Sequence, residues 1–144
     1  MNANRSERHP PGPVPSSAGI YRLIDSLRNG VDETTRIAAI SALAESRNPR
    51  AVMPLIICCR DNSTFVRMAA VEALSTLCNF RAEPALREII LDEDENIVIR
   101  QKAVMALAGL KSSSSREGLA GLSRDTRENP SVRALAAWIL ARMS

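Results

Sequence analysis

Three cysteines and one histidine are the residues of this 144-residue chain whose types suit thiol, metal or general-base chemistry. Cys58 and Cys59 are adjacent, and Cys78 follows in the next segment. Used chemically, they would form a thiol site for a metal or a covalently attached chromophore. Used structurally, they would fill the core as small apolar side chains. The structural use is expected, because free cysteine is among the most buried residue types. Adjacent cysteines are poorly placed for a disulfide, and no Cys-x-x-Cys spacing occurs. The single histidine, His9, lies in a proline-rich stretch ahead of Pro10. Ser-His-Asp and Cys-His arrangements are therefore left without a base in the region expected to fold. The six glycines are scattered and make no phosphate-cradling loop. No catalytic residue, metal ligand set or cofactor is expected.

Arginine is the other residue type with chemical potential. Seventeen of the 19 basic residues are Arg, and 16 acidic residues bring the net charge to +3. Glu45, Glu72, Glu88 and Asp92 to Glu95 recur between the arginines. The surface thus reads as mixed, unlike the one-sided basic stripe of a nucleic-acid binder, and nucleic acid is disfavoured as a partner. Arg36, Arg67, Arg100 and Arg133 stand 31, 33 and 33 residues apart. Such a column could bind an acidic ligand, or it could bond acidic residues and carbonyls of loops in its own or the adjacent repeat. Asp61 and Asp94 lie six residues ahead of Arg67 and Arg100, whereas Gly30 and Arg127 hold that offset in the outer copies. A structural ladder is the expected role.

The elements that position these arginines repeat with them. The segments 35–43, 66–74, 99–107 and 132–140 align, with Ala three residues after each Arg and Leu seven after. Apolar positions one before, three, four and seven after the Arg share one helical face. A second amphipathic segment precedes each: Ser17 to Arg28, Pro49 to Arg60, Ala82 to Leu91 and Ser115 to Asp125. Pairs of antiparallel helices at a period near 33 residues predict a solenoid. Pro49 and Pro130 suit helix starts, Asp32, Asn62, Glu95 and Asn129 precede the second helices, and Ser112 to Ser115 form a linker or cap. The expected fold is all-α, an α-α superhelix of about four two-helix repeats near 17–47, 48–80, 81–113 and 114–144. A flexible, disordered proline-rich tail is expected over 1–16.

Composition agrees. The chain is 45% hydrophobic and 24% charged, with 20 alanines and four aromatics, too apolar for a disordered chain. Residues 1–16 lack the apolar centre of a secretory signal, and the longest apolar run, Val52 to Cys59, is broken by Pro54. No membrane insertion and a cytoplasmic location are expected.

The pattern Asn48-Pro49-Arg50-Ala51-Val52, Leu55-Ile56-Ile57, Asp61 and Val66-Arg67 with Ala70 and Leu74 resembles the HEAT-like repeats of the phycobilisome-lyase type. The likeness covers about residues 17–144. It implies a helical scaffold, in a family that includes chromophore-lyase subunits, metal oxygenases and protein adaptors. Metal-dependent hydroxylases on such repeats look like tandem His-Glu pairs, which this chain lacks.

In a two-helix solenoid the second helices line the inner face. Two residues before each Arg the sequence reads Thr34, Phe65, Val98, Ser131; one after, Ile37, Met68, Gln101, Ala134; five after, Ser41, Glu72, Met105, Trp138. Phe65, Met68, Val98, Met105 and Trp138, with Ile37, Gln101 and Glu72, suggest a groove for another protein. The expected function is a non-catalytic adaptor that binds a partner through its concave face. The alternative is an accessory, lyase-like subunit of a cofactor- or chromophore-handling enzyme. Apolar Leu135, Ile139 and Met143 at the end of the chain also suggest self-association through the last helix.

Overall fold

A computed structural model describes residues 15–28 and 31–143. Most of the tail expected over 1–16 lies outside the described residues. Eight α-helices run in antiparallel pairs: α1 (Ser17–Asp25) with α2 (Glu33–Ser46), α3 (Val52–Cys58) with α4 (Thr64–Leu77), α5 (Glu83–Leu91) with α6 (Ile97–Gly109), and α7 (Ser113–Arg124) with α8 (Pro130–Leu140). Short 3₁₀ turns, Pro49–Ala51 and Phe80–Ala82, lead into α3 and α5. No strand occurs among the described residues.

Each second helix begins at a side-chain cap. Asp32 Oδ1 accepts from Thr35 N (2.8 Å), Ser63 Oγ from Val66 N (3.3 Å), Asn96 Oδ1 from Val98 N (2.8 Å) and Asn129 Oδ1 from Ser131 N (2.8 Å). The caps of α4 and α6 thus fall one residue later than Asn62 and Glu95. Ser112 caps α7 through Ser115 N (2.9 Å), so Ser113 to Ser115 belong to the helix, and Ser115 is buried. Pro54 is tolerated in α3 because it lies in the first turn, where an N–H has no intrahelical partner.

Three second helices end with a residue of positive φ, either at or one position after the cap: Arg47, Cys78 and Lys111. Each stands 11 residues after its repeat's arginine. Asn48 and Asn79 then accept from Arg50 N and Arg81 N, turning the chain into the next repeat. The repeat is therefore local as well as periodic.

Packing follows the small and large positions. Ala39, Ala70, Ala103 and Ala136 are all buried, as are Leu43, Leu74 and Leu107, while Leu140 is half-buried. Alanine at the contact lets α2 approach α4, α4 approach α6, and α6 approach α8. Thr35 and Ala137 depart from the expected apolar face and are exposed. Second helices pack against one another in series, α2 with α4, α4 with α6 and α6 with α8, whereas successive first helices make little contact.

Candidate interaction surface

The arginines link one repeat to the next. Arg36 Nη2 donates to Asp61 Oδ1 (3.1 Å), Arg67 Nε to Glu95 Oε2 (2.8 Å) and Arg100 Nη2 to Glu128 Oε1 (2.6 Å). Each also bonds carbonyls of its own inter-helix loop or preceding helix: Arg36 that of Val31, Arg67 those of Asp61 and Asn62, Arg100 that of Ile90. The hydrogen bond to Glu95 raises the Arg67 pKa. Among the described residues, Arg133 donates to the Thr126 carbonyl (3.3 Å) and meets no carboxylate. The acid comes from the following repeat in every pair, so Asp61 serves Arg36 with its carboxylate and Arg67 only with its carbonyl. Asp94 is exposed and does not pair with Arg100. The groups lie inside the stack, and a ligand would find the guanidinium edges already occupied.

The cysteines divide. Cys58 and Cys59 are buried, and burial pushes their thiols up to about 11 and about 12. Both are therefore un-ionised and unreactive at neutral pH. Cys78 is exposed, unlike a core residue, because its left-handed backbone at the end of α4 turns it outward; its Sγ donates to the Gly109 carbonyl (3.1 Å). Among the described residues no three His, Cys, Asp or Glu side chains are grouped to hold a metal.

The open face of the second helices, the one expected to be concave, carries large apolar side chains. Phe65 is 66% exposed, Met105 58%, Trp138 55% and Val98 43%. They point away from the stacking direction: on each second helix, positions two before and five after the Arg share a face that no neighbouring helix covers. Phe65 and Val98 hold the same register on adjacent helices, as do Glu72, Met105 and Trp138. Met68 and Ile37 are half-buried against the core and form the floor between these rows, and Gln101 is half-buried beside them. Glu72 pairs with Lys102 across α4 and α6 (2.8 Å). Lys102 was missed because it stands two after the Arg, outside the three columns.

A second feature lies where α6 and α8 end. Arg142 stacks on Trp138, 3.8 Å from the ring centroid, beside a cavity of about 500 Å³ that Lys111, Arg116, Ile139 and Met143 also line. Arg142 follows Trp138 by four residues, which is the one sequence signal that could have found this contact. Leu135, Ile139 and Met143 are half-buried against the core. Tyr21, Met53, Ile57, Phe80 and Leu91 are exposed away from the second helices, so none of the four aromatics is in the core. No helix among the described residues is long and apolar enough to cross a membrane.

Comparisons with known proteins agree with this geometry. A family profile described as HEAT repeats matches residues 20–98 and 84–144. No curated protein matches the chain. Among solved structures, human deoxyhypusine hydroxylase in complex with glycerol is similar with a TM-score of 0.76 and 21% identity. The match covers 93% of this chain and 45% of the hydroxylase chain, so this chain spans less than half of that protein. At this identity the likeness shows the fold.

Proposed function

The chain belongs to the HEAT-repeat family, and from that premise we propose that it is a non-catalytic scaffold that binds a segment of another protein along its inner face. The carrying observation is the row of exposed Phe65, Val98, Met105 and Trp138 on helices whose opposite face supplies the buried Val66, Leu74, Ile99, Leu107 and Val132. Aromatics and Met are enriched in interface centres, and a few such anchors supply most of the affinity. Glu72 and Lys102 beside them orient the partner more than they hold it.

The hydroxylase activity of the structural neighbour is not part of this reading, since the one histidine of these 144 residues, His9, precedes the first helix. The cofactor-accessory reading has little support, because two of three thiols are buried and protonated. Three free thiols, two of them adjacent, suit a reducing cytoplasm. Self-association through α8 is the weaker second reading, because Leu135, Ile139 and Met143 are half-buried against the core and only Trp138 among the large apolar side chains there is exposed.

Affinity capture tests the reading. The native chain and a Trp138→Ala, Met105→Ala variant are used as baits side by side. The reading expects the variant to lose the native bait's specific partners; full retention of every partner contradicts it.

A further inference from the structure

At the carboxyl ends of α6 and α8 the inner face runs into the 500 Å³ cavity, whose walls are apolar at Trp138, Ile139 and Ala108 and cationic at Lys111, Arg116 and Arg142. Between the repeats, Arg36, Arg67, Arg100 and Lys102 each meet a carboxylate, whereas Arg133 meets the Thr126 carbonyl. Among the described residues none of the three cations at the cavity is ion-paired, and no carboxylate lines it. Arg116 donates from Nη2 to the Met143 carbonyl (2.7 Å) and Arg142 from Nη1 to the Trp138 carbonyl (3.0 Å). These bonds fix the guanidinium groups without neutralising them. The two helix ends offset only part of the charge, since each contributes about half a negative charge against three positive ones.

We infer that this cavity receives an acidic stretch of the bound partner: one or two carboxylates beside an aromatic or aliphatic residue that rests on Trp138 and Ile139. The inference rests on the interaction-surface reading and adds the sign and position of the partner's charge. Guanidinium groups held by backbone carbonyls present their free edges for bidentate carboxylate bonding. Lys111, Arg116 and Arg142 are exposed, so their uncompensated charge sets the sign of the segment that docks here and repels cationic ones in a salt-dependent way. A peptide is favoured over nucleic acid because the cations occupy one spot. The rest of the inner face offers Phe65, Val98, Met105 and Glu72, not the basic stripe that a phosphate backbone requires.

Selection from a displayed random-peptide library tests this on the whole chain. Three baits are compared: native, Lys111→Glu with Arg142→Glu, and Phe65→Ser with Met105→Ser, each checked for folding by circular dichroism. On the native bait, peptides enriched in Asp or Glu next to an apolar anchor are expected. On the charge-reversed bait the acidic preference should vanish while apolar anchors persist. A synthetic peptide of the native consensus should bind it about tenfold more weakly by Trp138 emission. Enriched apolar peptides with no acidic bias would overturn the inference and leave the inner-face reading standing. No enrichment on the native bait would overturn both. Salt-sensitive binding of single-stranded DNA that displaces the selected peptides would assign the cavity to nucleic acid and overturn it as well.

Discussion

Arg100 and Glu128 meet at 2.6 Å with side chains only 5% and 8% exposed, joining the third repeat to the loop of the fourth. Arg67 and Glu95 do the same one repeat earlier, with the acid as deeply placed and the arginine more open. The repeat arginines of the first three repeats are therefore compensated by the repeat that follows.

Removing one partner should show this. Glu128→Ala leaves Arg100 buried beside the Ile90 carbonyl with its charge uncompensated, at a cost of about 3 to 5 kcal/mol. Replacing both, Arg100→Met with Glu128→Leu, should cost clearly less. Urea unfolding of the two single variants and the double variant measures the coupling; additive losses would mean that the pair does not act as a unit.

The left-handed residues should respond in the opposite direction. Arg47 ends α2 with φ of 51°, a conformation that disfavours a side chain. Arg47→Gly should raise stability by about 1 kcal/mol, read as a higher urea midpoint with an unchanged slope. A lowered midpoint would show that the Arg47 side chain stabilises the turn by more than its backbone costs.

Acid should weaken the stack in a defined window. The Thr35 N–H holds the Asp32 carboxyl below its ordinary 3.8, and Ser114, followed by Arg87 and Ser112, holds that of Glu83 below 4.5. Their folded values are depressed, so the unfolded chain takes up protons first as pH falls. The stability they contribute is full above the ordinary carboxylate range and is lost as pH drops through the folded values. The urea midpoint should stay level from about pH 7 to about pH 5 and fall below about pH 4.5. Asp32→Asn with Glu83→Gln, which keep hydrogen-bonding capacity, should flatten that fall; an unchanged profile would exclude these two groups as its cause.

Thiol titration separates the cysteines. At pH 8 Cys78 alone should react quickly with a disulfide reagent, and Cys58 and Cys59 only after unfolding, because burial holds them protonated. Three fast thiols would contradict the packing of α3.

The repeat was legible because each stacking contact demands one residue type at one offset. Alanine at the close approach and leucine at the knob recur at a period that chain entropy cannot imitate, and Ala39, Ala70, Ala103 and Ala136 are all buried. The ladder was legible only on one side. Arginine marks its own column, but the carboxylate it meets depends on how far one repeat is displaced over the next, which spacing within a repeat does not encode. Asp94 therefore looked like a partner and is exposed, while Glu95 and Glu128 make the bonds. The outward cysteine was hidden because a left-handed cap usually announces itself with glycine or asparagine, and Arg47, Cys78 and Lys111 are neither. The second-helix columns followed from geometry, while the cavity joins three separate helices and only the four-residue spacing of Trp138 and Arg142 hinted at it.

Exposed apolar residues away from the second helices, Met53 and Ile57 among them, provide the internal control for the central claim. The direct measurement is the dissociation constant of a captured partner, by isothermal titration, for Phe65→Ser with Met105→Ser and for Met53→Ser with Ile57→Ser. Loss of two interface anchors should weaken binding by about a hundredfold or more in the first variant and leave the second within about twofold of the native chain. Undiminished binding by the inner-face variant, with loss in the outer-face one, would contradict the account.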